Sequence, residues 1–202
     1  MQWERLVNLP ITSYLDVGTN AGQFYQEFWK LYRGIKVEFI EANPWCCSKL
    51  AKRFKKIPLH NVAVGKTNCT MQMHIFKGKR HSKAASLYKL SGPDNNIEQF
   101  EVEVKTFDSI FNNQYFDFIK FDIQGAELDA MQGSPDFIKQ AKFLLIEVTP
   151  NAENHPGSLE IVNYCRELGF WPIDVVDEYR GQFDILFSNQ PNYKEKDVSF
   201  AC

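Results

Sequence analysis

Short apolar runs recur along the chain, and most are apolar nearly throughout rather than alternating. SYLDV (13–17), KVEFIE (36–41), HNVAV (60–64), FDFIKFDI (116–123) and KFLLIEV (142–148) read as strands covered on both faces. Helical patterns lie between them, at 22–32, 44–55, about 127–139 and 158–170. This alternation predicts an α/β domain, three layers deep, with a mostly parallel sheet. The last part changes character: PIDVVDE (172–178), a short YRG turn and QFDILFS (182–188) predict two antiparallel strands. A parallel sheet ending in a hairpin differs from a dinucleotide-binding fold, whose last strands stay parallel.

One segment interrupts the order. CTMQMHIF and QFEVEVKTF, within residues 69–107, alternate with period two, as strands exposed on one face do. They predict an inserted β region forming one wall of a substrate site. The aromatics at 24–32 recur at helical spacing and read as core. The whole chain, 1–202, reads as a single domain with a lead-in at 1–12 and a flexible polar tail at 189–202.

Composition narrows the partners. Against 25 acidic residues stand 23 Lys and Arg, a formal net charge of −2, so no global field draws the protein to nucleic acid or an anionic membrane. The basic run KGKRHSK (77–83) reads either as a solvated hairpin tip or as a grip on an acidic acceptor. Five cysteines, an odd number without a CxxC pair, read as reduced thiols rather than disulfides or metal ligands. MQWERLVNLP has no apolar leader core, and no run is long enough to cross a bilayer. The expectation is a cytoplasmic protein acting on a small molecule or glycan.

The candidate chemistry sits at the strand ends. In YLDVGTNAGQF (14–24), Gly18 permits close backbone approach to a ligand, and Gly22 permits tight packing as the helix starts. The spacing lacks both the third glycine of a dinucleotide fingerprint and a Walker lysine, so pyrophosphate loses support. Glu41, ending the second strand, can accept both hydroxyls of a ribose. Ala42 follows it, and Asn61 and Val62 are candidates for the base edge. Asp16, an acid inside an apolar strand, needs a cationic or N–H partner. Asp122 ends the fourth strand and Glu147 the fifth. They are candidate general bases or ligands of a divalent metal such as Mg²⁺. Glu127 suits a helix start, while His74, His81 and His155 are ambiguous. Asp16, Glu41, Asp122 and Glu147 are thus expected to ring one crevice.

YLDVGTNAGQF, FIEANP, NVAVG, FIKFDIQGAEL and LLIEVTP resemble, in order and approximate spacing, the FkbM-type S-adenosylmethionine-dependent methyltransferases. The resemblance covers roughly residues 13–150. It implies a class I methyltransferase fold, a Rossmann-like three-layer sandwich with a seven-stranded sheet. It also implies methyl transfer, usually to oxygen on saccharides or natural products. By position, Asp16, Gly18 and Asn20 would hold the methionine side of S-adenosylmethionine, Glu41 its ribose and Asn61 would lie near adenine. Asp122 would face the reacting centre. Two features depart from the family pattern: Gln124 stands where glutamate is usual, and only about a dozen residues precede the first strand. The Asn/Asp-Pro-Pro-aromatic run of amino-group methylation on bases is missing after the fourth strand, which favours oxygen as acceptor. The rivals are a nicotinamide-dependent oxidoreductase and a cofactor-binding module of the same fold without activity.

Overall fold

The computed structural model describes residues 2–79, 85–88, 96–148, 157–179 and 181–193. Among these residues, ten strands and six α-helices follow one another. β1 (Ser13–Val17), α1 (Gln23–Leu31), β2 (Lys36–Ile40), α2 (Pro44–Arg53), β3 (Leu59–His60) and β4 (Ala63–Val64) come first. β5 (Cys69–Phe76), β6 (Ile97–Lys105), α3 (Phe107–Phe111), β7 (Phe118–Phe121), α4 (Glu127–Gly133) and α5 (Pro135–Lys139) follow. β8 (Phe143–Val148), α6 (Ser158–Glu167), β9 (Trp171–Tyr179) and β10 (Gln182–Ser188) complete the domain.

The main sheet has seven strands in the order β3-β2-β1-β7-β8-β10-β9. β3 to β8 run parallel, and β10 enters antiparallel between β8 and β9. The order reverses at β1, between β2 and β7. Such a switch point opens a crevice at the carboxyl ends of the strands. One face of the sheet packs Leu15, Ile119, Phe121 and Ile146 against α3 to α6, through Phe107, Met131, Phe137 and Ile161. The other packs Tyr14, Phe39, Phe118 and Leu145 beneath α1, α2 and an N-terminal 3-10 turn, through Phe28, Leu50 and Leu6. Successive strand residues go to opposite cores, the period of two that a doubly covered strand requires.

The inserted region folds as a second sheet, β4-β6-β5, with the β5–β6 pair antiparallel and β6 buried at alternate positions over its second half. HNVAV is not one strand. Leu59–His60 pairs with β2, whereas Ala63–Val64 leaves to pair with β6 in the small sheet. The helix expected over 127–139 is two, because Pro135 lacks the N–H that a continuous helix needs. Gly133, at the break, lies so close to the Gly65 carbonyl that a Cβ would come within 2.3 Å of it.

The N-terminal turn Trp3–Leu6 is tied down rather than trailing. Gln2 N–H donates to the Val176 carbonyl at 2.6 Å, Arg5 pairs with Asp174, and the Tyr32 hydroxyl donates to the Leu6 carbonyl at 2.6 Å. These bonds carry Trp3 to the rim of the crevice, 5.0 Å from the Phe24 ring centroid.

Candidate functional site

A cavity of about 850 Å³ opens at the carboxyl edge of the main sheet. Its floor is built where β1, β2 and β7 turn into their loops. Gly18 and Thr19 donate to the Ile40 carbonyl at 3.0 and 3.2 Å, and Asp122 N–H donates to the Val17 carbonyl at 3.0 Å. Gly18 has φ +82°, and a Cβ there would lie 1.9 Å from the Asp122 carbonyl oxygen. Only glycine lets the two loops meet this closely. Gly22 is needed for a different reason. At φ +78° it precedes α1, and a Cβ would press into the Phe54 ring at 2.5 Å.

Glu41 lines one side of the cavity and is only 6% exposed. Its two carboxylate oxygens accept from Asn20 N–H at 2.6 Å and Asn43 N–H at 2.7 Å. Burial outweighs these donors and pushes its pKa up to about 7. Ile40, Ala42, Val62 and Met73 form an apolar band beside it. The small sheet and the 85–88 segment supply that wall, through Ala63, Val64, Met73, Ala85 and Leu87.

The opposite side is acidic. Asp122 and Glu147 line it together with Asp184 and Asp177. In the β8–β10–β9 register, Asp184 faces Glu147 on one neighbour and Asp177 on the other. Burial, then the charges of Asp122 and Asp184, push Glu147 up to about 8. Burial likewise raises Asp184 to about 6, against the pull of Lys120. Glu147 Oε1 accepts from Gln124 Nε2 at 2.7 Å and from Gln182 Nε2 at 2.9 Å.

Lys120 is the basic residue among these acids. It is 5% exposed, with Nζ 3.0 Å from Asp122 Oδ2, 3.8 Å from Asp16 Oδ1 and 5.3 Å from the Phe24 ring centroid. Burial alone would lower its pKa, but Asp122, Asp16 and Asp184 raise it, so it stays charged. Asp16 and Lys120 are register partners on β1 and β7 and therefore share a face of the sheet.

The structure thus gathers Gly18, Asn20, Glu41, Ala42, Val62, Asp122 and Glu147 around one cavity. It does not bring the other three there. Asp16 is fully buried beneath the floor, with Lys120 at 3.8 Å as its cation and neither carboxylate oxygen hydrogen-bonded among the described residues. Gly22 packs against Phe54 and Leu50. Asn61 turns its amide onto the backbone, donating to the Glu41 and Ala42 carbonyls at 3.0 and 3.1 Å, and so shapes the β2 loop without lining the cavity. Glu127, 2% exposed, clamps the β7 loop by accepting from Ile123 N–H at 3.0 Å and Gly125 N–H at 2.9 Å. His74 is half-buried in β5, and its Nδ1 has no hydrogen-bond partner among the described residues. His81, His155 and residues 80–83 of the basic run lie outside the described residues.

Sequence reasoning missed Lys120, Asp184, Gln182 and Trp3. A lysine inside an apolar strand was the available signal for Lys120. Trp3 gave none, because long-range ties such as the Arg5–Asp174 pair, the Gln2 bond to β9 and the Tyr32 bond to Leu6 bring it back to the cavity.

A family model for the methyltransferase FkbM domain matches residues 16–171. The chain belongs to the FkbM methyltransferase family. Comparison with curated protein sequences finds no match. Solved structures share the fold of this FkbM domain at low identity. The ribosomal protein L11 methylase of Lactobacillus delbrueckii subsp. bulgaricus is 12% identical with a TM-score of 0.53, over 92% of this chain and 72% of that one. The pyocyanin biosynthetic protein PhzM is 10% identical with a TM-score of 0.52, over 94% of this chain. This chain spans only 53% of PhzM. Magnesium protoporphyrin IX methyltransferase (ChlM) from Synechocystis PCC 6803, solved with bound S-adenosylmethionine, is 11% identical with a TM-score of 0.50, over 91% of this chain and 72% of its own. The FkbM domain here therefore has the class I methyltransferase fold.

The residues present fit S-adenosylmethionine. Gly18 lets the β1 and β7 loops meet as a floor, and a buried acid, Glu41, faces the cavity beside an apolar band. Among the described residues no group of three or more His, Cys, Asp or Glu side chains is arranged to hold a metal ion. No described helix is long and apolar enough to cross a membrane.

Proposed function

We propose that the protein is an S-adenosylmethionine-dependent O-methyltransferase acting on a hydroxyl of a saccharide or small natural product. The observation that carries this reading is the division of one cavity into two chemistries. A ribose-accepting carboxylate, Glu41, and an apolar band occupy one side, and the carboxylates of Asp122 and Glu147 occupy the other. S-adenosylmethionine supplies an activated methyl group when bound. The protein is left to align the acceptor with it, exclude water and take up the hydroxyl proton.

In this reading Gly18 and Asn20 form the floor against which the cofactor lies, and Glu41 accepts from the ribose hydroxyls. Asp122 and Glu147 take the acceptor's proton as a pair. Lys120 offsets the charge on Asp122 from below, and burial raises the proton affinity of Glu147. The Trp3 and Phe24 rings at the rim, tilted 48° to each other, offer apolar faces of the kind on which the CH face of a sugar or an aromatic ring rests.

The test is transfer of labelled methyl from S-adenosylmethionine into fractionated glycans and small metabolites. Asp122→Asn is expected to lower transfer by about 100-fold or more while leaving cofactor affinity nearly intact. Full activity in Asp122→Asn would remove the carboxylate pair from the mechanism.

A further inference from the structure

We propose that Gln124 is a positioning residue whose side-chain amide stands in the place a cation would otherwise take between Asp122 and Glu147, fixing that pair without a metal ion. The proposal rests on the preceding reading for what the pair does, but its geometry stands separately.

The Gln124 Nε2 donates to Asp122 Oδ1 at 2.9 Å and to Glu147 Oε1 at 2.7 Å. An amide nitrogen has two protons, and both are committed here. Facing the Asp122 carboxylate, the amide must present its NH₂ and not its oxygen. Lys120 covers the other Asp122 oxygen at 3.0 Å, and Gln182 adds a second donor to Glu147 Oε1. Glu147 Oε2 accepts no hydrogen bond among the described residues, which leaves that oxygen for an acceptor hydroxyl. A divalent ion bridging Asp122 Oδ1 and Glu147 Oε1 would sit in the gap now taken by this nitrogen.

The backbone around Gln124 is built to aim that amide. The residue has φ +54°, a conformation side-chain-bearing residues seldom adopt. Its carbonyl accepts from the Ser86 hydroxyl at 2.7 Å, and Ser86 is fully buried. The peptide N–H groups on either side, of Ile123 and Gly125, are both held by Glu127. Bonds from three directions thus hold one turn in an unfavourable conformation, and the side chain it presents spans the two acids.

Mn²⁺ titration followed by the free-ion electron paramagnetic resonance signal tests this without any acceptor. The wild-type protein is expected to show no saturable Mn²⁺ site at millimolar ion, and Gln124→Glu, which loses the donors and adds a carboxylate, is expected to gain one. Where an acceptor is in hand, wild-type transfer is expected to be indifferent to chelator. Gln124→Met, similar in size but without N–H groups, is expected to lose about 100-fold in kcat with little change in cofactor KM. A saturable Mn²⁺ site in the wild type, no gained site in a folded Gln124→Glu, or wild-type kcat in Gln124→Met would each overturn the proposal. Absence of transfer on every acceptor, with the Mn²⁺ contrast intact, would instead count against the methyltransferase reading alone.

Discussion

Lys120 decides whether the acids beneath and beside the cavity can coexist. Asp16 is fully buried and Asp122 half-buried, and among the described residues Lys120 is the ammonium between them. A buried pair of this kind adds little net stability against an apolar substitute, yet removing one partner strands the other. Lys120→Met is therefore expected to destabilise the fold by about 3–5 kcal/mol, measured by denaturant unfolding. Reversal of much of that loss by adding Asp16→Asn would show that the stranded charge is the cause. A loss below about 1 kcal/mol would mean that Asp16 is protonated in the native protein and does not need the lysine.

At the scale of elements, the strands and their order along the chain were legible because their composition is lopsided. Runs such as FLLIEV are too apolar to be anything but doubly covered, and QFDILFS after a glycine turn pairs back. The fate of HNVAV was not legible. HNVAV is decided by a contact made at long range, Ala63–Val64 with β6, whereas the break in 127–139 was written locally in Pro135 and was overlooked. The same holds within the site. The acids at strand ends could be read off, whereas Asn61, expected near adenine, donates to the Glu41 and Ala42 carbonyls, and Asp16 lies buried beside Lys120. Polar residues at loop ends serve backbone and ligand alike, and only the fold says which. The meeting of the β1 and β7 loops gives an element-scale prediction. Gly18→Ala forces a Cβ to within 1.9 Å of the Asp122 carbonyl, at φ +82°. It is expected to abolish cofactor binding in calorimetry and to lower the melting temperature by several degrees. A Gly18→Ala variant that binds as tightly as wild type would show that the loops separate freely.

The molecule as a whole carries more buried acid than its cations offset. Glu41 and Glu127 are pushed up to about 7, and Glu147 to about 8, chiefly by burial. Each titrates near 4.5 when exposed, so between that value and its folded pKa the folded chain holds protons that the unfolded chain has released. Stability from these groups is fully present below about pH 4.5 and is lost as pH rises through 7 to 8. The ligand-free protein is therefore expected to melt several degrees lower at pH 8 than at pH 5.5. A melting temperature that rises across this window would mean that these carboxylates are ionised and compensated.

The most direct measurement is a calorimetric titration of the wild-type protein and Glu41→Ala with S-adenosylmethionine, set beside one with NADH. The account predicts saturable binding of S-adenosylmethionine, weakened roughly 10–100-fold in Glu41→Ala, and no comparable binding of NADH. Tight NADH binding with none of S-adenosylmethionine, or a Glu41→Ala protein that binds S-adenosylmethionine as well as wild type, would contradict it.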